Sequence, residues 1–166
     1  MWSLDIVEAS DMTQFSIGKH VEALREEVFA VASDFRNAAQ NIRGIEELEV
    51  LTDGPIGVGT RFRETRLMFG KRSTEEMEIT AFNPPEGYTV EAESCGAHYR
   101  AEYRFIPDIA GTHLRVTFDT RPVSRLAKLM SPLSLLLIGP MKKLIDADLE
   151  DVKAAAEAVA RPIEHV

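Results

Sequence analysis

The last third of the chain, 124–160, limits the possible folds more than any other stretch. From Met141 on, apolar residues recur at Met141, Leu144, Ile145, Leu149, Val152, Ala156 and Val159. That spacing is helical and gathers them on one face. Lys142, Asp146, Glu150, Asp151 and Glu157 fall mostly around the other side. Such a helix has to bury its stripe against a second layer. The preceding hundred or so residues offer one: short alternating segments separated by Gly- and Pro-rich turns, the rhythm of an antiparallel meander. The expected fold class is therefore α+β, a curved antiparallel sheet of about seven strands gripping one long C-terminal helix.

In chain order, 1–10 has no clear pattern. Thr13, Phe15 and Ile17 alternate with Gln14 and Ser16, so 12–20 reads as a half-buried strand. Val28, Phe29, Val31, Ala32 and Phe35 then recur at helical spacing, with Glu26 and Glu27 suited to a first turn. A second helical turn is expected over 37–44, with Gly44 as its C-cap. Strand signals follow around Leu48 and Val50, and over 60–69, 72–82, 88–94 and 98–106. The last strand carries Leu114, Val116 and Phe118. Asp53-Gly54-Pro55, Gly70-Lys71, the run from Asn83 to Gly87, Gly96 and the stretch from Pro107 to Gly111 punctuate them. The order is thus β-α-α-β6-α. Pro122, Pro132 and Pro140 place the start of the long helix at or after Pro140, with a shorter or kinked helical piece before it.

The 166 residues read as one domain, 1–166. A chain of that size buries roughly 70% of its unfolded surface and needs no staples. Cys95 is the single cysteine, which excludes an internal disulfide and a thiolate metal cage and fits a reducing compartment. The net charge is −8, from 19 basic and 27 acidic side chains. Arg61, Arg63, Arg66, Lys71 and Arg72 cluster, but Glu64, Glu75, Glu76 and Glu78 are interleaved or follow. This pattern suits cross-strand charge pairing and argues against a nucleic-acid groove. The first residues lack both a basic segment and an apolar core, and the run Leu133 to Ile138 is far short of the ~20 residues of a membrane span. A soluble, cytoplasmic protein is expected.

Three stretches carry a family resemblance. They are Glu26-Glu27-Val28-Phe29-Ala30, the loop Leu51-Thr52-Asp53-Gly54-Pro55-Ile56-Gly57-Val58-Gly59-Thr60-Arg61-Phe62, and Phe82-Asn83-Pro84-Pro85. Together with the element order they resemble the START-like, helix-grip superfamily (SRPBCC proteins) in its polyketide cyclase/dehydrase-like branch. Ala23-Leu24-Arg25 stand where that family often has a proline, and Asn41-Ile42-Arg43 where it often has tryptophans. The resemblance implies a deep cavity between sheet and long helix for an apolar small molecule. It implies no single chemistry, since members include carriers, sensors and cyclases, so function has to be argued from the site.

With a cavity expected, Phe62, Met77, Val90, Tyr103, Phe118, Met130, Leu133, Leu137 and Met141 are its candidate lining. A plain packed core has the same signature. The glycine-rich loop lacks the spacing of a phosphate cradle; it reads as a tight turn, which in the family reading also borders the cavity mouth. His20, His98, His113 and His165 are scattered, so no metal site is expected, and with no cofactor signature in the sequence no cofactor is expected. Candidate catalytic residues are Glu64, Arg66, Tyr103 and His98. His98 could enter the cavity as an acid or base, although a solvated edge position suits it better. The strand over 60–69 has charge on both faces, so burial does not fix its parity. If Phe62 faces inward, Glu64 and Arg66 form an ion pair inside the cavity and Glu64 becomes a proton acceptor. A surface pair or simple structural bridge is the favoured alternative.

Leu126, Leu129, Met130, Leu133 and Leu137 make an apolar stripe in 123–138, expected to act as a lid and to offer a homodimer contact. Three functions follow. The first is binding of a lipid-like, aromatic or polyketide-like molecule as carrier or sensor. The second is a cyclase/dehydratase-type enzyme using Glu64, Arg66 and Tyr103. The third is a partner-binding adaptor working through 123–138.

Overall fold

The computed structural model describes residues 13–94, 96–123 and 135–160. Seven strands form one antiparallel sheet: β1 (Thr13–Val21), β2 (Ile45–Val50), β3 (Arg61–Met68), β4 (Lys71–Asn83), β5 (Gly87–Ser94), β6 (Ala97–Asp108) and β7 (Gly111–Pro122). Their spatial order is β1-β7-β6-β5-β4-β3-β2. Consecutive strands from β2 to β7 are neighbours, and β1 closes the far edge by pairing with β7, Phe15 opposite Phe118. Between β1 and β2 lie helix α1 (Arg25–Ala32), a 3-10 turn (Phe35–Asn37) and the single turn α2 (Ala38–Asn41). After a 3-10 turn (Leu135–Leu137) comes the long helix α3 (Ile138–Ala160). This is the expected helix-grip α+β architecture.

Helix α3 lays Ile145, Leu149, Val152 and Ala156 on the concave face of the sheet. Met141 and Leu144 pack beside them, and Ala160 continues the stripe where Val159 was expected; Val159 is 66% exposed. Pro140 lies inside the first turn, where its missing N–H costs no helical hydrogen bond. The polar side also holds the helix in place. Lys19 of β1 bridges Asp146 and Glu150 at 2.9 and 3.3 Å. The Arg43 guanidinium meets Asp151 at 2.8 Å, and the Glu22 N–H donates to Glu157 at 2.9 Å.

Local chemistry explains the ends of the other elements. The Glu27 carboxylate accepts the Leu24 N–H at 2.9 Å and so starts α1. The β3–β4 hairpin turns on Phe69 and Gly70, both at positive φ (52° and 77°), and Met68 pairs with Lys71. The turn is therefore one residue earlier than the expected Gly70-Lys71, because a two-residue turn matching sheet twist needs left-handed backbone at both positions. Register shifts at Ile45/Glu47 and Ile79/Ala81 mark irregularities that help bend the sheet. Gly44 is not a helix cap: α2 ends at Asn41 with Ile42 as its cap residue, and Gly44 leads into β2.

One end of the grip is closed by aromatic packing. Phe29 of α1 lies 5.3 Å from Phe105 and 5.5 Å from Phe82, while Phe35 lies 4.9 Å from Phe62, ring centre to ring centre. The glycine-rich loop joins β2 to β3 at this end, with Ile56 packed on the core. It does not line the cavity, so the expectation that it borders the mouth is corrected. The cavity reaches from Ala32 and Phe35 at this end to Met68, Ala97 and Pro122 at the other without touching residues 51–60. On the outer face the expected cross-strand pairs are present: Arg61 with Glu76 at 3.1 Å, Arg63 with Glu76 and Glu49 at 2.7 and 3.2 Å, and Arg72 with Glu46 at 2.8 Å. Arg66 is the exception, and it points inward.

Most of the 123–138 stripe, including Leu126, Leu129, Met130 and Leu133, lies outside the described residues, as does Cys95. Among the described residues no helix is long and apolar enough to cross a membrane.

Candidate functional site

Between the concave face of the sheet and α3 lies a cavity of about 430 Å³. That volume falls in the range of small-molecule sites, which run from about 300 to 1,000 Å³. Of the residues expected to line it, Phe62, Met77, Val90, Tyr103, Phe118, Leu137 and Met141 do so; Met130 and Leu133 lie outside the described residues. Strand alternation is the reason: Met77, Val90, Ala101 and Phe118 share the inward parity of four successive strands.

The parity of β3 is resolved in the same way. Phe62, Glu64, Arg66 and Met68 face the cavity, and Arg61 and Arg63 face out. Of the favoured alternatives for Glu64 and Arg66, the surface pair is thus excluded, while a structural bridge is compatible with their position. Phe62 decides the matter, since this ring is 2% exposed and packs on Phe35. Burying it carries every second residue of the strand inward.

Arg66 is 7% exposed and held from two sides. Its Nε donates to Glu64 at 2.6 Å and its Nη1 to Asp148 of α3 at 2.9 Å. Asp148 supplies a carboxylate from the helix side, so one guanidinium ties the sheet to α3 across the cavity. Gly44 makes this fit: a Cβ there would stand 3.1 Å from the Asp148 Oδ1. Two tyrosines lie alongside. Tyr88 and Tyr103 stack with ring centres 4.5 Å apart, and the Tyr88 hydroxyl donates to the Ala32 carbonyl at 2.9 Å.

Burial and neighbouring charge shape the titration of these groups. Burial raises Asp148; Arg66 opposes this, Glu64 adds to it, and the carboxyl is pushed up to about 6. For Arg66 burial acts downward, but Glu64 and then Asp148 outweigh it, and the guanidinium stays above its ordinary value. Burial raises the Tyr103 phenol, helped by the charges of Asp148 and Glu64. Burial likewise holds Tyr88 well above its usual range. Both tyrosines are therefore neutral hydroxyls at physiological pH, able to donate hydrogen bonds but not to serve as phenolates.

His98 is not brought to the site. It faces the outer side of β6, where its Nε2 meets Glu91 at 2.8 Å, and it does not line the cavity. Glu64, Arg66 and Tyr103 do come together there. Asp148 was missed in the sequence, although the signal was present: it falls between Ile145 and Val152, on the apolar stripe rather than the wet face of α3. Tyr88, Tyr99 and Glu75, which also line the cavity, share the parity of Val90, Tyr103 and Met77 respectively. Among the described residues, no group of three or more His, Cys, Asp or Glu side chains is arranged to hold a metal ion.

The comparisons with known proteins agree with this fold. The family model described as polyketide cyclase / dehydrase and lipid transport matches residues 12–157, and the chain belongs to that family. Among solved structures, it is similar to the Zhui aromatase/cyclase from Streptomyces sp. R1128, with 20% identity and a TM-score of 0.75. That match covers 93% of this chain and 99% of the other. It is also similar to a protein of Thermus thermophilus, with 18% identity, a TM-score of 0.74, and coverage of 90% and 100%. A norcoclaurine synthase point mutant from Thalictrum, solved with a transition-state analogue, matches with 18% identity, a TM-score of 0.65, and coverage of 89% and 96%. At these identities the likeness is one of fold. No curated protein matches the chain.

Proposed function

We propose that this protein binds an apolar, ring-bearing small molecule in the cavity between sheet and α3, as a carrier or sensor. The observation that carries the reading is the cavity itself: about 430 Å³, walled largely by aliphatic and aromatic side chains, with a few polar groups gathered around Arg66. A small molecule gains affinity there by removing apolar surface from water, and the polar groups orient it. Family membership supports a ligand-binding or cyclase/dehydrase-type role without choosing between them.

The test is a fluorescence titration with N-phenyl-1-naphthylamine, an apolar probe that is uncharged at pH 7. Blue-shifted emission that saturates at one probe per chain is expected. Ala101→Trp fills the cavity from the middle of β6, so it should weaken binding at least ~tenfold while the circular dichroism stays native. No saturable binding, or equal binding by Ala101→Trp, would refute the reading.

A second reading, turnover of the cyclase/dehydratase kind, has one observation in its favour. Asp148, at about 6, can hold or release a proton near neutral pH beside Arg66 and Glu64. Loss of product with Asp148→Asn or Glu64→Gln, at unchanged probe affinity, would establish it on an enolisable aromatic substrate.

A further inference from the structure

We infer that the cavity selects ring-bearing ligands whose polar end is a hydrogen-bond-donating cation, a protonated amine, and turns away carboxylates. This inference rests on the binding reading above and adds the charge of the ligand. Its basis is the charge inventory of the lining together with the way Arg66 is held.

A cavity that captures an anion needs a cation or N–H groups free to meet it. Among the described residues Arg66 is the one cationic side chain that lines this volume. Its charge is already balanced: Glu64 takes Nε at 2.6 Å and Asp148 takes Nη1 at 2.9 Å, and the N–H groups that remain belong to a cation outnumbered by carboxylates. The guanidinium carries one positive charge against two carboxylates, so the cluster leaves a surplus of negative charge. Adding an anionic ligand would place a third carboxylate beside them in a poorly solvated site.

Glu75 tips the balance further. It lies on the cavity side of β4, directly opposite Glu64 in the β3–β4 register, and has no ion-pair partner among the described residues. Two carboxylates facing each other across strands are unfavourable unless a cation or a donor stands between them. Glu91 also borders the cavity, but Thr80, His98 and Arg100 engage it. Among the described residues that line the cavity, Glu75 is therefore the acidic group without an ion-pair partner. The rings of Tyr99 and Phe118 line the same volume, and the Lys142 ammonium sits over the neighbouring Phe15 ring, 5.3 Å from its centre, the kind of contact aromatic rings make with ammonium groups and not with anions.

The test uses three ligands with one ring system: 1-naphthylmethylamine, 1-naphthalenemethanol and 1-naphthoic acid, each displacing N-phenyl-1-naphthylamine at pH 7. The expected order is amine, then alcohol, then acid, with the amine at least ~tenfold tighter than the acid. Glu75→Gln should lower the preference for amine over alcohol several-fold, with the circular dichroism native. An acid that competes as well as the amine would overturn the inference, as would Glu75→Gln with the preference intact or displacement by none of the three. In those cases the binding reading stands, because the uncharged probe still binds. Failure of the probe itself removes both.

Discussion

Arg63 and Arg66 stand three residues apart on one strand, so they face opposite sides of the sheet. Each guanidinium meets two carboxylates: Glu49 and Glu76 for Arg63, Glu64 and Asp148 for Arg66. In sequence they are equivalent members of a basic cluster. In the fold they do different work. The Arg63 cluster is solvated, screened by salt and adjustable, and pairs of that kind add little to stability. The Arg66 cluster is buried at the wall of a cavity, joins β3 to α3, and leaves each partner costly to orphan. Identical pairing chemistry is thus decoration on one face and a structural and electrostatic anchor on the other. Solvent exposure alone makes the difference.

The largest test of that contrast is Arg66→Met. It strands Glu64 and Asp148 as uncompensated carboxylates and should cost about 3 to 5 kcal/mol in chemical denaturation. Adding Glu64→Gln and Asp148→Asn to the same chain should recover much of the loss, because the charge problem is then removed together with its solution. If the single variant melts like its parent, the anchor is not one.

Crowding comes next. Gly44→Ala places a methyl against the Asp148 carboxylate and should destabilise by about 1 kcal/mol through displacement of the Arg66 bridge. The same change at Gly57, which faces open space, is the control.

Titration gives an effect of similar or smaller size. The Asp148 carboxyl is at about 6 in the folded protein, against an ordinary 3.8. A raised acid favours the folded state when protonated, so its contribution is present at low pH and is lost as pH rises through about 6. Between pH 7 and pH 5 the protein should gain about 1 kcal/mol from this group, and Asp148→Asn should abolish that part of the pH dependence. A variant whose stability tracks pH just as the parent does would place the titration elsewhere.

The smallest effect belongs to the outer face. Arg63→Ala removes bridges to Glu49 and Glu76 between exposed side chains. Its melting midpoint should stay close to that of the parent, and raising the salt should shrink what difference there is. A loss comparable with Arg66→Met would erase the comparison.

Alternation made most of this fold legible. Thr13, Phe15 and Ile17, or Tyr99, Ala101 and Tyr103, announce half-buried strands because one face meets the core and the other meets water. The stripe of α3 is legible for the same reason. The parity of β3 was not legible, since Glu64 and Arg66 on one face match Arg61 and Arg63 on the other. What settles it is a tertiary contact, Phe62 on Phe35. Asp148 could have been found from its position between Ile145 and Val152, as a charge where the helix should be apolar. Its pairing with Arg66, 82 positions away in sequence, could not. His98 illustrates the converse: its residue type suggested chemistry, but strand parity carries it to the outer face.

The central claim is that the space behind Arg66 holds a ligand. Native mass spectrometry of the protein as purified from cells, followed by denaturing extraction, tests this most directly. A stoichiometric apolar molecule that accompanies the parent chain and is absent from Ala101→Trp is the predicted result. An empty parent chain that takes up no member of a panel of aromatic and lipid-like compounds would contradict it.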